Sequence, residues 1–288
     1  SAYRRPVTEE DWLELSKFFE SGLREEGFEK GIQLALERIL VAPDFLWRIQ
    51  RDPANHPPNE NYKISDVELA SRLSFFLWSG APDDELLSLA EQERLRDPQI
   101  LKNQVARMMN DEKADAFIKN FVGQWLYLRN LDNVYPLPAA FPEFDDNLRL
   151  SFKQETEMFF EEQIRENHSL LEMFTAKYSF LNQRLAYHYG IRGVYGSHFR
   201  KVELDGYKRG GLLGHGSLMT VTSYPNRTSV VLRGKYVLDN FLGSPPPEPP
   251  PNVPALEESS QNGRQLTMRE AMAQHRENPA CRVCHAAM

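Results

Sequence analysis

The 288-residue sequence contains only two cysteines, fewer basic than acidic residues and no long hydrophobic run. Two cysteines exclude a framework of several disulfide bonds. Lysine and arginine number 34 against 41 aspartate and glutamate residues, which gives a net charge of −7 and argues against a nucleic-acid partner. No apolar run approaches the ~18 residues of a membrane span. With 41% hydrophobic and 26% charged residues, the composition is that of a globular protein of one large domain or two smaller ones.

Common catalytic signatures are also missing. An oxyanion loop is superficially resembled by Gly214-His215-Gly216-Ser217, but the Gly-x-Ser-x-Gly elbow of a hydrolase is absent. The glycine-rich fingerprints of phosphate and dinucleotide binding are absent as well. A glutamate run from Glu155 to Glu166 has no Glu-x-x-His pair, which a di-iron bundle requires. We therefore interpret that run as a solvated helix face.

Helical patterns fill most of the sequence. Thr8-Glu9-Glu10-Asp11 and Ser65-Asp66-Val67-Glu68 are capping-box patterns that predict helix starts. With 3.6-residue apolar spacing, they predict helices along the N-terminal half, including a longer one from Ala114 and an amphipathic one over 143–166. The inward residues of the helix over 143–166 are expected to be Leu148, Phe152, Phe159, Phe160 and Ile164. The first helix of the chain, which begins after Thr8, places four apolar residues on one face, which we interpret as core: Trp12, Leu15, Phe18 and Phe19. Pro43 is expected to begin a new helix rather than to kink the preceding one. The predicted fold class is mainly α, a bundle or array of many helices.

The character of the sequence changes after Tyr178. Glycines cluster between Gly190 and Gly216, a segment that we expect to be irregular, with a short strand at 199–204. The proline run 245–254 predicts a polyproline II strap that leads toward the C-terminal motif. These changes divide the chain into an N-terminal helical module (1–56), a central helical domain (62–192) and a Gly/Pro-rich C-terminal module (205–288).

That motif is Cys281-Arg-Val-Cys284-His285, and it holds both cysteines of the chain. Cys-x-x-Cys-His is the pattern of covalent c-type haem attachment, in which each thiol adds to a haem vinyl group and the histidine becomes the proximal iron ligand. Three alternatives stay open. They are a Cys-x-x-Cys redox pair, half of a zinc site and a structural disulfide. The prediction is haem c, bound through Cys281 and Cys284, with His285 on the iron.

The second axial ligand has several candidates. Met288 lies too close to the motif to reach the opposite face of a haem, so the candidates lie upstream. Met268, Met272 and His275 share one face of a predicted last helix, and His215 and Met219 lie in or near the glycine-rich segment. A methionine ligand would raise the reduction potential relative to two histidines.

Three blocks of sequence carry a more specific resemblance. The most distinctive includes Arg209-Gly210-Gly211-Leu212-Leu213, residues 227–229 and 232–238, the proline run and 275–285. The other two blocks comprise 2–6 with 39–46, and 69–78 with 180–186. Together they resemble the interior of planctomycete-type secreted cytochrome proteins, which are built from serial uncharacterised domains around c-haem motifs. The resemblance implies haem and secretion, and it implies that the chain, which begins with Ser1, is an interior fragment or a cleavage product.

Three functions follow as hypotheses. The leading one is a periplasmic or secreted c-type haem protein that passes electrons to or from a redox partner protein or other domains of the same parent. The second is a haem enzyme of the peroxidase or oxidase kind, in which His215, Arg227 or Arg233 would lie over an open iron position. The third is a structural or partner-binding subunit of a larger assembly.

Overall fold

Helices dominate the part of the chain that the structure describes. This computed structural model describes residues 2–48, 57, 60–247, 260–261, 264–265, 267–277 and 282. Strands within these ranges form three separate antiparallel pairs of two, so the prediction of a mainly α fold is confirmed. By contact, the chain divides into two compact units, Ser1–Phe117 and Ile118–Met288. The predicted division into 1–56, 62–192 and 205–288 stays a prediction.

The described residues of the first unit form seven α-helices joined by short turns. They are α1 (Glu9–Glu25), α2 (Phe28–Leu40), α3 (Pro43–Leu46), α4 (Asp66–Trp78), α5 (Asp84–Glu91) and α6 (Pro98–Asn110), followed by α7 (Asp115–Phe117). Thr8 and Ser65 form complete capping boxes with Asp11 and Glu68, and Pro43 begins α3, as the sequence predicts. The core of this unit lies among α4, α5 and α6, where the indole Nε1 of Trp78 donates to the carbonyl of Met108 at 2.9 Å.

The apolar face of α1 differs from the prediction. Trp12 is 67% exposed and Phe18 is 39% exposed, so this stripe is not a core. The residues of α1 and α2 that are buried are the glycines Gly22 and Gly31, because the two helices approach one another through them. The side chains of Trp12 and Phe18 therefore stay exposed, whereas the ring of Phe19 lies against Gly31.

The second unit is built around one long helix. After a π-helical turn (Ile118–Val122) and α8 (Gly123–Trp125), the chain reaches α9 (Asp146–Arg165). The helix predicted from Ala114 is present as one continuous helical run over 115–125, whose middle residues, Ile118–Val122, are π-helical. The elements that follow are α10 (Glu172–Thr175), β1 (Tyr178–Leu181), α11 (Gln183–His188), β2 (Arg200–Glu203), α12 (Gly216–Val221), β3 (Ser223–Tyr224), β4 (Arg227–Thr228) and α13 (Val230–Asn240).

Buried side chains of α9 form the centre of this unit. Leu148, Phe152 and Phe159 are nearly inaccessible, as predicted, and pack toward β1, α11 and α12. A second contact joins α8 to α13, where the indole Nε1 of Trp125 donates to the carbonyl of Asn240 at 2.9 Å. The predicted strand at 199–204 is present as β2, which pairs with β1.

The C-terminal portion is described only in part. Beyond a small β5–β6 pair (Ser260–Gln261 and Arg264–Gln265), α14 spans Met268–His275 and begins with a Thr267 capping box. The predicted strap is described only as far as Pro247, and Cys281, Cys284 and His285 lie outside the described residues. None of the helices in the described ranges has the length and apolar character needed to cross a membrane.

Candidate functional site

A buried carboxyl group lies in the middle of α9. Glu155 is 1% exposed, which corrects the interpretation of the glutamate run as a wholly solvated face. Its Oε1 accepts a hydrogen bond from the Ser179 hydroxyl at 2.6 Å, and its Oε2 accepts one from the Tyr189 hydroxyl at 2.6 Å. Glu155 is buried because it follows Phe152 by three residues and precedes Phe159 by four, which places it on the face of α9 that packs inward.

Burial changes the acidity of this group. Loss of solvent raises the pKa of Glu155 from 4.5 to about 7, although the hydrogen bonds from Ser179 and Tyr189 and the nearby Arg209 cation act in the opposite direction. At neutral pH the carboxyl group therefore exists in both protonation states. Groups of this kind are typical of sites that bind ligands or move protons, although structural networks also contain them.

Tyr189 connects Glu155 to the surface of a cavity. Its hydroxyl accepts a hydrogen bond from the backbone N–H of Gly216 at 2.8 Å while donating to the carboxyl group. Its ring stacks on Phe152, and the guanidinium of Arg209 lies 3.6 Å from the ring centroid. Burial and the adjacent Glu155 carboxylate raise the pKa of Tyr189 well above its ordinary value of 10, so the phenol stays protonated.

His215 lies deeper in the same region. It is 2% exposed, its ring packs edge-on against Phe159, and its Nδ1 is 3.0 Å from the Thr156 hydroxyl. Burial, with a smaller effect of Arg209, lowers the pKa of His215 to about 3, so the imidazole is neutral at physiological pH. Its Nε2 has no hydrogen-bond partner among the described residues.

The segment 209–216 can pack closely against its neighbours because of its glycines. Gly211 has a φ of 62°, and a Cβ there would overlap the carbonyl of Phe174. Gly216 lies against the Phe152 ring, where a Cβ would overlap ring carbons. Only glycine fits at these two positions, which lets the backbone of 209–216 pass close to Phe174 and Phe152. Arg209, His215 and Gly216 are thereby brought close to α9.

The cavity itself has a volume of about 450 Å³, within the ordinary range for small-molecule sites. Its apolar wall includes the side chains of Phe141, Phe144, Phe152 and Met219, and its polar wall includes Tyr189, His188, Glu143, Arg209 and Arg233. Glu143 is the one carboxylate in this wall, and its Oε2 is 3.9 Å from Nδ1 of His188. Burial lowers the pKa of His188, so the two arginines make the lining net positive at neutral pH.

The predicted axial ligands have different surroundings. Met219 lines the cavity, whereas His215 lies one helical turn earlier and is enclosed behind the wall. Met272 is buried at 5% exposure, and Met268 and His275 lie on the same helix, α14. Among the described residues, no group of three or more His, Cys, Asp or Glu side chains is arranged to hold a metal ion.

The polar residues suggested for an open iron position also have different surroundings. Arg233 lines the cavity, but Arg227 is exposed and its guanidinium lies 4.7 Å from the centroid of the Tyr224 ring. Sequence reasoning missed Glu155, Tyr189 and Arg209. Glu155 carried a signal, since it interrupts the apolar spacing of α9, whereas the approach of Tyr189 and Arg209 depends on tertiary structure.

Three family models match the chain in series. Residues 1–50 match a protein of unknown function (DUF1595), 64–191 a protein of unknown function (DUF1592) and 209–288 a protein of unknown function (DUF1588). Their short names are PSD5, PSD4 and PSCyt3. No curated protein and no solved structure matched.

The matches define a class of protein first. The chain is mainly α and carries three domains of the serial, cytochrome c-like domain families. More particularly, these are domains of the planctomycete type, in the order DUF1595, DUF1592 and DUF1588. The resemblance predicted from the sequence is thereby confirmed.

Proposed function

We propose that the protein is an extracytoplasmic c-type haem protein that passes electrons to or from a partner. One observation carries the proposal: both cysteines of the chain lie in Cys281-Arg-Val-Cys284-His285, a complete haem-attachment pattern within the DUF1588 match. Cys281 and Cys284 would form the thioether bonds, and His285 would be the proximal ligand. Covalent haem attachment takes place outside the bacterial cytoplasm, which supports a periplasmic or secreted location.

The described residues include groups that suit a haem. The cavity in the second unit offers an aromatic wall, the thioether of Met219 and two guanidinium groups, which match an apolar macrocycle with carboxylate side chains. His215 is neutral, as a ligand must be, but it is enclosed and packs on Phe159. Met219 is therefore favoured over His215 as the distal ligand. When bound, the haem would supply a one-electron iron couple.

Covalent attachment is tested by a pyridine haemochrome spectrum together with the intact mass of the purified chain. We expect a spectrum of the two-thioether type and a mass that exceeds the polypeptide by one haem. Cys281→Ala should give a one-thioether spectrum, because only Cys284 remains to react. A mass equal to the polypeptide alone, after expression with a haem-attachment system, would contradict the proposal.

The distal ligand is tested separately with matched methionine variants. Met219→Leu keeps the volume of the side chain but removes the sulfur, so it should abolish the sulfur-to-iron charge-transfer band of the oxidised protein. Met272→Leu is the control and should leave that band unchanged. The reverse pattern would assign the ligand to α14 instead.

A second candidate function is a haem enzyme with an open distal position. The observation that favours it is Arg233 in the cavity wall, since a cationic side chain near the iron polarises bound peroxide or oxygen. Cyanide and carbon monoxide distinguish the two functions. A low-spin spectrum that neither ligand changes supports electron transfer, whereas a high-spin spectrum that shifts with both supports the enzyme.

A further inference from the structure

Two half-buried arginines line the cavity without an ion-pair partner in the part of the chain that the structure describes. Several other half-buried arginines do have carboxylate partners; for example, Arg5 lies 2.6 Å from both Asp11 and Asp44. Arg209 and Arg233 have no carboxylate within ion-pair distance among the described residues, although both are half-buried. A half-buried cation without a counter-charge is unfavourable, because it loses water without gaining an ion pair.

The hydrogen bonds of these arginines leave donors unused. Nε and one terminal nitrogen of Arg233 bond to the Thr222 hydroxyl, the Ser223 hydroxyl and the Met219 carbonyl, each at 3.3 Å. Its other terminal nitrogen has no partner in the described ranges. Arg209 donates to the Gly214 carbonyl through one terminal nitrogen and otherwise lies on the Tyr189 ring. Since a guanidinium has five N–H donors, both residues retain donors for a ligand.

Much of the cavity lining is apolar. Phe144, Phe152 and Met219 face a volume of about 450 Å³, which is large enough for a ligand of more than one ring. Glu143 carries the one negative charge in the wall, and Glu155 lies behind Tyr189 with a pKa of about 7. The cavity is therefore a cationic and aromatic recess in a protein with a net charge of −7.

We propose that this cavity binds an organic carboxylate with an apolar body, whose carboxylate pairs with Arg209 and Arg233. Bidentate pairing with guanidinium gives carboxylates their strongest and most directional contacts in proteins, and the aromatic wall buries the apolar part. The inference goes beyond the haem proposal, because the arginines bind a carboxylate whether or not haem is attached. The carboxylate has two sources, a free organic acid or the propionates of the chain's own haem.

Isothermal titration of the full chain, as purified, with 2-naphthoate tests the proposal. The neutral 2-naphthamide has the same rings without the charge and serves as the ligand control. Arg233→Gln and Arg209→Gln remove the cations singly, and Arg192→Gln, an exposed arginine of the same unit outside the cavity, is the matched control variant. Because Arg209 also packs on Tyr189, its variant is compared with wild type by circular dichroism, while Arg233→Gln gives an independent result.

For a free acid, we expect naphthoate to bind and naphthamide to bind at least tenfold more weakly. We also expect each cavity variant to bind naphthoate at least tenfold more weakly than wild type, while Arg192→Gln keeps the wild-type affinity. If propionates fill the site, wild type does not bind naphthoate, and both cavity variants, but not Arg192→Gln, shift the midpoint potential of the haem. Equal binding of naphthoate and naphthamide overturns the proposal. So does unchanged behaviour of both cavity variants in binding and in potential. The binding result decides the matter even if the chain carries no haem.

Discussion

Replacement of Glu155 with glutamine should change how the stability of the protein depends on pH. The amide has the shape of the protonated carboxyl group, so it can accept from the Tyr189 hydroxyl and donate to the Ser179 hydroxyl in place of the present bonds. It cannot ionise. Glu155→Gln therefore fixes the site in the state that the buried environment favours.

The size of the effect follows from the pKa values of the folded and unfolded states. Burial raises the pKa of Glu155 from 4.5 to about 7, and each pKa unit corresponds to about 1.4 kcal/mol. The wild type therefore has this stabilisation below about pH 4.5 and loses about 3 kcal/mol of it as the pH rises through 7. The variant loses none of it, so its advantage over wild type grows across that range.

The assay is urea unfolding of both proteins at several pH values between 4.5 and 8. Glu161→Gln is the control on the same helix, since Glu161 pairs with Arg165 on the surface and should change stability by less than about 0.5 kcal/mol at every pH. The low pKa of His215 affects wild type and variants alike, so it cancels in the difference. A difference between Glu155→Gln and wild type that is the same at pH 5 and pH 8 would refute the reasoning.

Two further predictions concern packing and a buried ion pair. Gly216→Ala should destabilise the chain by about 1–3 kcal/mol in urea unfolding, because its Cβ would overlap the buried Phe152 ring, whereas Gly214→Ala meets only ordinary contacts. Equal effects of the two substitutions would contradict the close approach. Asp66→Asn should cost about 2–4 kcal/mol, because the buried carboxylate accepts from the Arg96 side chain and from two backbone N–H groups. Thermal unfolding measures it, and a loss below about 1 kcal/mol would show that water replaces these bonds.

Local signals in the sequence predicted the local structure well. The capping boxes at Thr8 and Ser65 are present because a side-chain oxygen and a carboxylate three residues later satisfy free N–H groups without help from distant residues. The apolar spacing of α9 likewise predicted which of its aromatic residues are buried. Capping and apolar spacing depend only on residues within one or two helical turns, so the sequence alone predicts them.

Longer-range features were not predictable in the same way. Trp12 lies on an apolar stripe but stays exposed, because its helix contacts the next one through glycines. The helix after Ala114 is π-helical over Ile118–Val122 although the apolar spacing continues, since that spacing does not fix the pitch. The Cys-x-x-Cys-His pattern is the reverse case, because the haem prediction depends on five residues whose cysteines and histidine lie outside the described ranges.

Glu155 shows why a run of charged residues in a sequence does not by itself predict an exposed helix face. A run of glutamates on one helix reads as a solvated face, but the run does not share one face, because successive members differ by two, four, one and four positions. Glu155 lies in register between Phe152 and Phe159, so the packing that buries those rings also buries its carboxyl group. Glu162 continues the same register nearer the end of the helix, where it is half-buried and pairs with Lys201.

Burial of Glu155 without partners would be too costly, which is why Ser179 and Tyr189 donate to it. A carboxylate that takes a place in an apolar stripe is therefore a sign of a specific polar network, and here that network leads through Tyr189 to the cavity.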